Sequence, residues 1–318
     1  MKTYAGYYKN KIREKSSSGG IFSALANCIL KKNGVVYGVC MSSDNYSAHF
    51  ERASTNSEVQ LMIGSKYMQA SMGSILHSVK MDLENGIVVL FTGTICQING
   101  LKKYLQRDYD NLYCADVICH GVPSPKLWKK YILSREEQIG KCIELNFRSK
   151  EAGWYASGIK ENYFFTSQNK NQYMNLFLSD LCLRPSCYEC ICKKNKKSDI
   201  TIGDLWGVHQ VAPDLDDDRG ISAIILRTEK SENMFNCIKG DLVYKEITYD
   251  EAILENPSEH ESAQKPLGRE TFYRDLEKKS FESLWEKYME KTLVWKFCGG
   301  VKRKFHRILL VCSRSERK

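Results

Sequence analysis

The sequence predicts an α/β fold: a mostly parallel sheet covered by helices, then a smaller β-rich, cysteine-bearing portion and a helical C-terminal tail. Three observations predict it. Helical and strand periodicities alternate through about residue 140, short strand-like runs take over beyond Cys142, and helical spacing returns from Gly268. These changes divide the chain into 1–140, the α/β portion, 141–265, a β-rich portion with the cysteine cluster, and 266–318, a helical segment with a basic tail. The 318-residue length suits this division at roughly 150 residues per domain. At 42% hydrophobic and 11% aromatic, the chain is not disordered as a whole.

The elements follow in order. Ser18 to Asn33 sets Ile21, Phe22, Leu25, Cys28 and Ile29 on one helical face, opened by Gly19-Gly20 and closed by Gly34. Val35 to Cys40 reads as a buried strand. Met72 to Leu83 is a helix with Ile75, Leu76 and Val79 inward; it stops at Asn85-Gly86, and Ile87 to Phe91 is the next strand. A helix follows the TGTICQ turn through Ile98, Leu101 and Leu105, and Leu112 to Ile118 is a strand ending at CHGVPSP. Strands separated by helices favour parallel pairing. Cys142 to Arg148, Trp154 to Lys160 and Tyr163 to Thr166 then read as strands and Gln172 to Leu181 as a short helix. Asp199 to Gly203 and Ser222 to Arg227 are further strands, and two helices follow Gly268.

The formal charge of +9 is concentrated at one end. From Lys291 onward nine Lys or Arg face one acid, Glu316, whereas the first 290 residues carry 38 basic and 37 acidic side chains. The neutral body argues against a nucleic-acid groove. In the tail, Val301, Phe305, Ile308, Leu309 and Cys312 form a helical stripe flanked by Lys302, Arg303, Lys304 and Arg307, the composition of a helix lying on an anionic membrane surface. No apolar run is long enough to span a bilayer and the N-terminus has no signal-peptide core, so a cytoplasmic protein, peripheral at the membrane through its tail, is expected.

Thirteen cysteines at irregular spacing do not form a secreted disulfide framework. Cys28, Cys40, Cys114, Cys142 and Cys237 lie in apolar periodic segments and read as inert core thiols. The stretch LCLRPSCYECICKK is different: Cys187 and Cys190 form C-x2-C, with Cys182 five residues earlier and Cys192 two later, among Arg184, Lys193, Lys194, Lys196 and Lys197. Two thiolates on one tight turn can grip a metal centre, and the basic neighbours offset its charge. The spacing fits structural zinc and an iron–sulfur cluster alike, and two further ligands must come from elsewhere. Cys96 and Cys119 each follow a strand at the carboxyl edge of the inferred sheet, where open α/β sheets bind ligands.

Three glycine-bearing turns share that edge. In SSSGG, Ser17, Ser18 and the amides of Gly19 and Gly20 could hold a phosphate against the helix dipole; Lys66 and Tyr67 in GSKY set a cation beside an aromatic hydroxyl; Thr92 and Thr94 in TGT open another helix. Neither a Walker A loop nor GxGxxG is present, so a dinucleotide would bind in a non-Rossmann manner. His120 and Asp204 are the candidate catalytic residues, His120 as a proton donor, and Asp204 with Trp206 in TIGDLWG offers a hydrogen bond and an aromatic wall.

The stretches SSSGGIFSALA, GVVYGV, GSKYMQ, VLFTGTICQINGL, DVICHGVPSP, LRPSCYEC and SDITIGDLWGV occur in the order found in the coenzyme F420 hydrogenase/dehydrogenase beta-subunit family, which the chain resembles from about Ser16 to Val208. The resemblance implies FAD beside a [4Fe-4S] cluster. It makes Cys96, Cys119, Cys187 and Cys190 the preferred ligands, with Cys182 as the rival fourth. It further implies pyrophosphate at Ser18, Gly19 and Gly20, a flavin lined by Lys66 and Tyr67, and oxidoreductase chemistry on an organic or sugar-type substrate or a deazaflavin, as in bacterial members from polysaccharide gene clusters. No C-x2-C-x2-C module precedes Ser16, so an external one-electron donor such as ferredoxin is expected, and Ile95 stands where proline is usual. The competing expectation is a zinc-stabilised scaffold without catalysis.

Overall fold

Alternation of buried side chains sorts the strands of a central sheet between two packed faces. Val35 and Tyr37 enter one core cluster with Val89 and Phe91, while the intervening Val36 and Leu90 enter the opposite one. The computed structural model describes residues 1–289. The basic amphipathic tail expected from Lys291 to Lys318 lies outside the described residues.

The chain opens with β1 (Lys2–Tyr8), α1 (Ile21–Lys31), β2 (Val35–Met41), β3 (Ala48–Ala53), α2 (Asn56–Met62), β4 (Ala70–Ser71), α3 (Ile75–Glu84), β5 (Val89–Thr94), α4 (Ile95–Leu105), β6 (Leu112–Val117) and α5 (Pro125–Ile139). It continues through β7 (Leu145–Ser149), β8 (Gly158–Glu161), β9 (Phe164–Ser167), α6 (Gln172–Leu178), α7 (Ile191–Lys194), β10 (Ile200–Asp204), α8 (Val208–Val211), β11 (Ser222–Leu226), α9 (Glu229–Ile238), β12 (Leu242–Ile247), α10 (Tyr249–Ile253), α11 (Arg269–Lys278) and α12 (Phe281–Tyr288).

Nine strands form one sheet in the order β12-β1-β11-β10-β6-β5-β2-β3-β4, and β7-β8-β9 form a small antiparallel second sheet. The α/β architecture is as expected. Its parallel part is the centre, β10-β6-β5-β2, while β11, β1 and β12 add antiparallel on one flank and β3 adds antiparallel on the other. The strands of 141–265 therefore divide between the two sheets. β1 was not legible in the sequence because its burial comes from neighbours more than 200 residues away, with Gly6 opposite Ser222 on one side and Tyr244 on the other.

Helix starts follow local chemistry. Thr55 with Glu58 and Thr94 with Gln97 form reciprocal capping boxes at α2 and α4, satisfying amides that the helix itself leaves unpaired. Helix α5 carries Trp128, fully buried, whose indole N–H donates to the Asn45 carbonyl at 2.8 Å. One cysteine expectation is corrected: Cys28 on α1 and Cys237 on α9 are joined as a disulfide. Each segment is apolar and periodic by itself, but α1 and α9 pack side by side on the same face of the sheet.

Candidate functional site

The parallel centre puts the carboxyl ends of β5, β6 and β10 at one edge of the sheet. Asp204, at the end of β10, pairs with Ser222, which in turn pairs with Gly6, so the loop after β1 reaches the same edge. A cavity of about 610 Å³ opens there, within the roughly 300–1,000 Å³ typical of small-molecule sites. Ser17, Ser18, Gly20, Lys66, Tyr67, Thr92, Thr94, Cys96, Cys119, His120, Asp204 and Trp206 all line it; Gly19, Cys182, Cys187 and Cys190 do not.

The SSSGG turn is built to be rigid. Ser18 Oγ donates to the Ile221 carbonyl at 2.9 Å, the Gly19 amide donates to Ser222 Oγ at 3.0 Å, and Ser17 Oγ accepts from the Ser65 amide at 2.8 Å. Gly19 is correspondingly not an anion ligand: its N–H is engaged, and a Cβ there would lie 2.6 Å from the Gly6 carbonyl oxygen. Gly20 adopts φ +83°, which favours glycine, and delivers the chain into α1, whose first residues, Ile21 and Phe22, face the cavity. Lys150, which the sequence reading missed, ties this turn down by donating to the carbonyls of Arg13, Ser18 and Arg219 at 2.7, 3.1 and 2.6 Å. Burial pulls its pKa down to about 8.

Three other predicted ligands are partly committed elsewhere. Lys66 Nζ donates to the carbonyls of Leu61, Met62 and Ile63 at the end of α2, and burial lowers its pKa to about 8. Thr92 Oγ1 donates to the Tyr37 carbonyl at 3.0 Å, and Thr94 caps α4. Their contribution to the cavity is shape more than free polar atoms. Tyr67 packs edge-on to Phe147 and beside Phe177, forming an aromatic wall.

The cysteines come from three segments. Cys96 is exposed in the first turn of α4, Cys119 lies two residues beyond β6, and Cys187 and Cys190 occupy the turn before α7, which packs on α4. Burial and then the neighbouring Cys187 and Cys96, with Cys190 further down, push the Cys119 thiol up to about 12, opposed by Lys193. Burial, Cys96 and Cys190 likewise raise Cys187. This crowding joins the four preferred ligands electrostatically, and an all-sulfur donor set suits a cationic iron–sulfur centre that would relieve it. Among the described residues, no three His, Cys, Asp or Glu side chains converge tightly enough to hold a single metal ion. Cys182 is elsewhere. It is fully buried, its sulfur 3.6 Å from the Leu176 carbonyl, and burial with the nearby Asp180 raises its pKa. The fifth thiol beside the group is Cys192, raised by burial and then by Cys190 and Cys96.

His120 Nε2 lies 2.6 Å from Asp180 Oδ1, and the imidazole meets Phe177 edge-on. The carboxylate fixes Nε2 as the protonated nitrogen and leaves Nδ1 for a bound molecule. Asp180 sits at φ +64°, a conformation that Asp tolerates better than most residues; nothing in its sequence surroundings marks it as a partner of His120. Asp204, the other catalytic candidate, is half of an ion pair. Its Oδ2 accepts from Arg148 Nη1 at 2.5 Å, and Arg148 lies 4.6 Å above the ring of Trp206, which stacks on Trp154. Arg148 Nη2 and Asp204 Oδ1 each remain buried without a hydrogen-bond partner. Arg148 was not singled out from sequence, since one arginine in a strand resembles any other.

Residues 88–251 match the family model for the C terminus of the coenzyme F420 hydrogenase/dehydrogenase beta chain, and residues 3–77 match the model for the N-terminal part of the same beta chain. A coenzyme F420-dependent sulfite reductase from Methanocaldococcus jannaschii is 24% identical over 257 residues, 75% of this chain and 37% of its own length. The chain thus spans little more than a third of that relative. A chain from the structure of the xenon-derivatised F420-reducing [NiFe] hydrogenase complex of Methanosarcina barkeri superposes with a TM-score of 0.56 at 18% identity, covering 93% of each chain. That likeness bears on the fold. No helix among the described residues is long and apolar enough to cross a membrane.

Proposed function

Because the chain belongs to the coenzyme F420 hydrogenase/dehydrogenase beta-subunit family, we propose that it is an oxidoreductase carrying FAD and a [4Fe-4S] cluster. The observation that carries the reading is one cavity, at the carboxyl edge of a parallel sheet, whose wall holds the SSSGG turn, an aromatic surface and two of four mutually crowded cysteines. When bound, FAD would supply two-electron hydride chemistry and the cluster one-electron transfer.

The chain's own residues have separable tasks. The amide end of α1 at Gly20, Ile21 and Phe22 attracts the pyrophosphate through unpaired N–H groups and the helix dipole. Lys150 holds that turn in shape. Tyr67, Phe177 and Trp206 provide apolar surface for a ring and exclude water from it. His120, oriented by Asp180, offers Nδ1 for exchanging a proton or hydrogen bond with the organic substrate. The Arg148–Asp204 pair stiffens the far wall. Cys96, Cys119, Cys187 and Cys190 hold the cluster.

The substrate is an organic molecule, sugar-type or a deazaflavin; the F420 dependence of the sulfite reductase relative supports the second. A role in polysaccharide biosynthesis and a cytoplasmic setting belong to the same reading, with a ferredoxin-like carrier as electron donor. Anaerobic purification followed by a visible spectrum, flavin extraction, and iron and sulfide analysis tests it. Flavin bands over a broad brown shoulder, FAD on extraction and about four irons per chain are expected. A colourless protein holding zinc and no flavin would overturn the proposal in favour of a zinc-stabilised scaffold.

A further inference from the structure

Cys96 brings the cysteine group to the surface on α4. Cys96, Asn99, Gly100 and Lys103 share a face of α4 at helical spacing, and that face lies against the turn carrying Cys190 and α7. Asn99 locks the two together: its side chain donates to the Asn195 carbonyl at 2.8 Å and accepts from the Lys197 amide at 3.2 Å. Between Cys190 and Cys192, Ile191 is 80% exposed. Gly100 leaves the backbone of α4 bare, with no atom within 4 Å of where a Cβ would stand.

The charges around this spot differ in kind. Lys193 donates to the Glu261 carbonyl, and Lys196 pairs with Asp116 and Glu259 at 3.5 and 2.7 Å, so these two serve the fold. Lys103, Lys194 and Lys197 are exposed, and no ion-pair partner is found for any of them among the described residues. Glu189 is the sole acid from Arg184 to Lys197, against five basic residues. In a body that is otherwise nearly neutral, with 38 basic and 37 acidic residues in the first 290, an unpaired cationic rim around an exposed aliphatic knob is a local feature.

From this juxtaposition we infer that the α4–α7 face is the docking surface for an acidic one-electron carrier protein. The inference rests on the cluster reading above. The carrier loses one electron and the cluster gains it, with no bond made or broken; two such encounters match the two electrons of a hydride. Electron-transfer encounters use small, transient interfaces, so an apolar contact at Ile191 with long-range attraction from three lysines suits the task. The attraction acts on the association rate and is screened by salt.

The test uses the full chain, reconstituted anaerobically, with an acidic [2Fe–2S] ferredoxin as probe. Binding is followed by calorimetry and cluster reduction by stopped flow, both over a series of salt concentrations. The K103E/K194E/K197E protein should bind and accept electrons about tenfold or more slowly at low salt, with a flattened salt dependence. G100Y, which adds bulk without backbone strain, should weaken binding at every salt concentration. K31E/K32E, altered at the far end of α1, should match wild type. Iron, sulfide and reduction by dithionite should be unchanged in all of them. A triple variant with a full cluster and wild-type binding and salt dependence would overturn this docking surface while leaving the cluster reading intact. A wild-type protein without any cluster would instead overturn the reading beneath it. If charge reversal lowers the iron content, the glutamine versions of the three lysines repeat the comparison with the charge merely removed, and an unchanged salt dependence in them overturns the surface.

Discussion

Removing the carboxylate of Asp204 should destabilise the fold far more than removing a surface acid. Arg148 and Asp204 side chains are 5% and 15% exposed, their contact is 2.5 Å, and the guanidinium Nε also donates to Ser157 Oγ at 3.3 Å. In Asp204→Ala the guanidinium stays buried over Trp206 with its charge uncompensated, a change worth about 3–5 kcal/mol, where an exposed pair is worth about 1 kcal/mol or less. At a few degrees per kcal/mol, the melting temperature should fall on the order of 10 °C. Urea denaturation of wild type, Asp204→Ala, Arg148→Met and Arg148→Met/Asp204→Ala completes a double-mutant cycle. Each single change should cost severely, and the double change should recover most of the loss because neither charge is left alone. A loss below about 1 kcal/mol for Asp204→Ala would refute the pairing argument, and full stability together with abolished turnover would return Asp204 to the role of acid or base.

The other predictions concern the ligands, the anion end and pH. Ala at Cys96, Cys119, Cys187 or Cys190 should remove most of the iron, while Cys182→Ala should keep it all and lose only core packing, and iron analysis after identical reconstitution decides. Gly20→Asp places a carboxylate where an anion is to bind and a side chain at φ +83°, so FAD affinity should fall about tenfold or more, as read by fluorescence titration; unaltered affinity would move the pyrophosphate elsewhere. Lys150 and Lys66 are both lowered by burial from 10.5 to about 8, so between those values the unfolded chain binds more protons than the folded one and their contribution to stability rises with pH, by at most about 1.4 kcal/mol per unit each. Buried thiols with raised values, such as Cys119, act in the opposite sense above pH 9, so the wild-type curve is a sum. Comparing Lys150→Met with wild type isolates one lysine, and parallel stability curves from pH 8 to 10.5 would contradict the shift.

The sequence by itself determined the elements whose burial is periodic and local. α1, β2, α3, β5, α4 and β6 each bury one face or a whole run against the sheet, and that demand is written as spacing within a dozen residues. The turns that end those strands were legible for the same reason, since Gly20 and Thr94 answer local needs of a left-handed residue and a helix cap. Tertiary structure alone decided what depends on separate segments meeting. β1 takes its place through partners at 222–226 and 242–247, Cys28 meets Cys237 because two helices share a face, and Asp180 and Arg148 acquire their roles from His120 and Asp204. The choice between Cys182 and Cys192 shows the limit most sharply. Both flank C-x2-C at short range, yet the segment tied down by the Pro123–Leu183 bridge holds one sulfur in the core, while the other lies beside Cys190 and Cys96. A side chain's spacing along the chain constrains its reach, but its direction is set by the packing of the surfaces on either side of it.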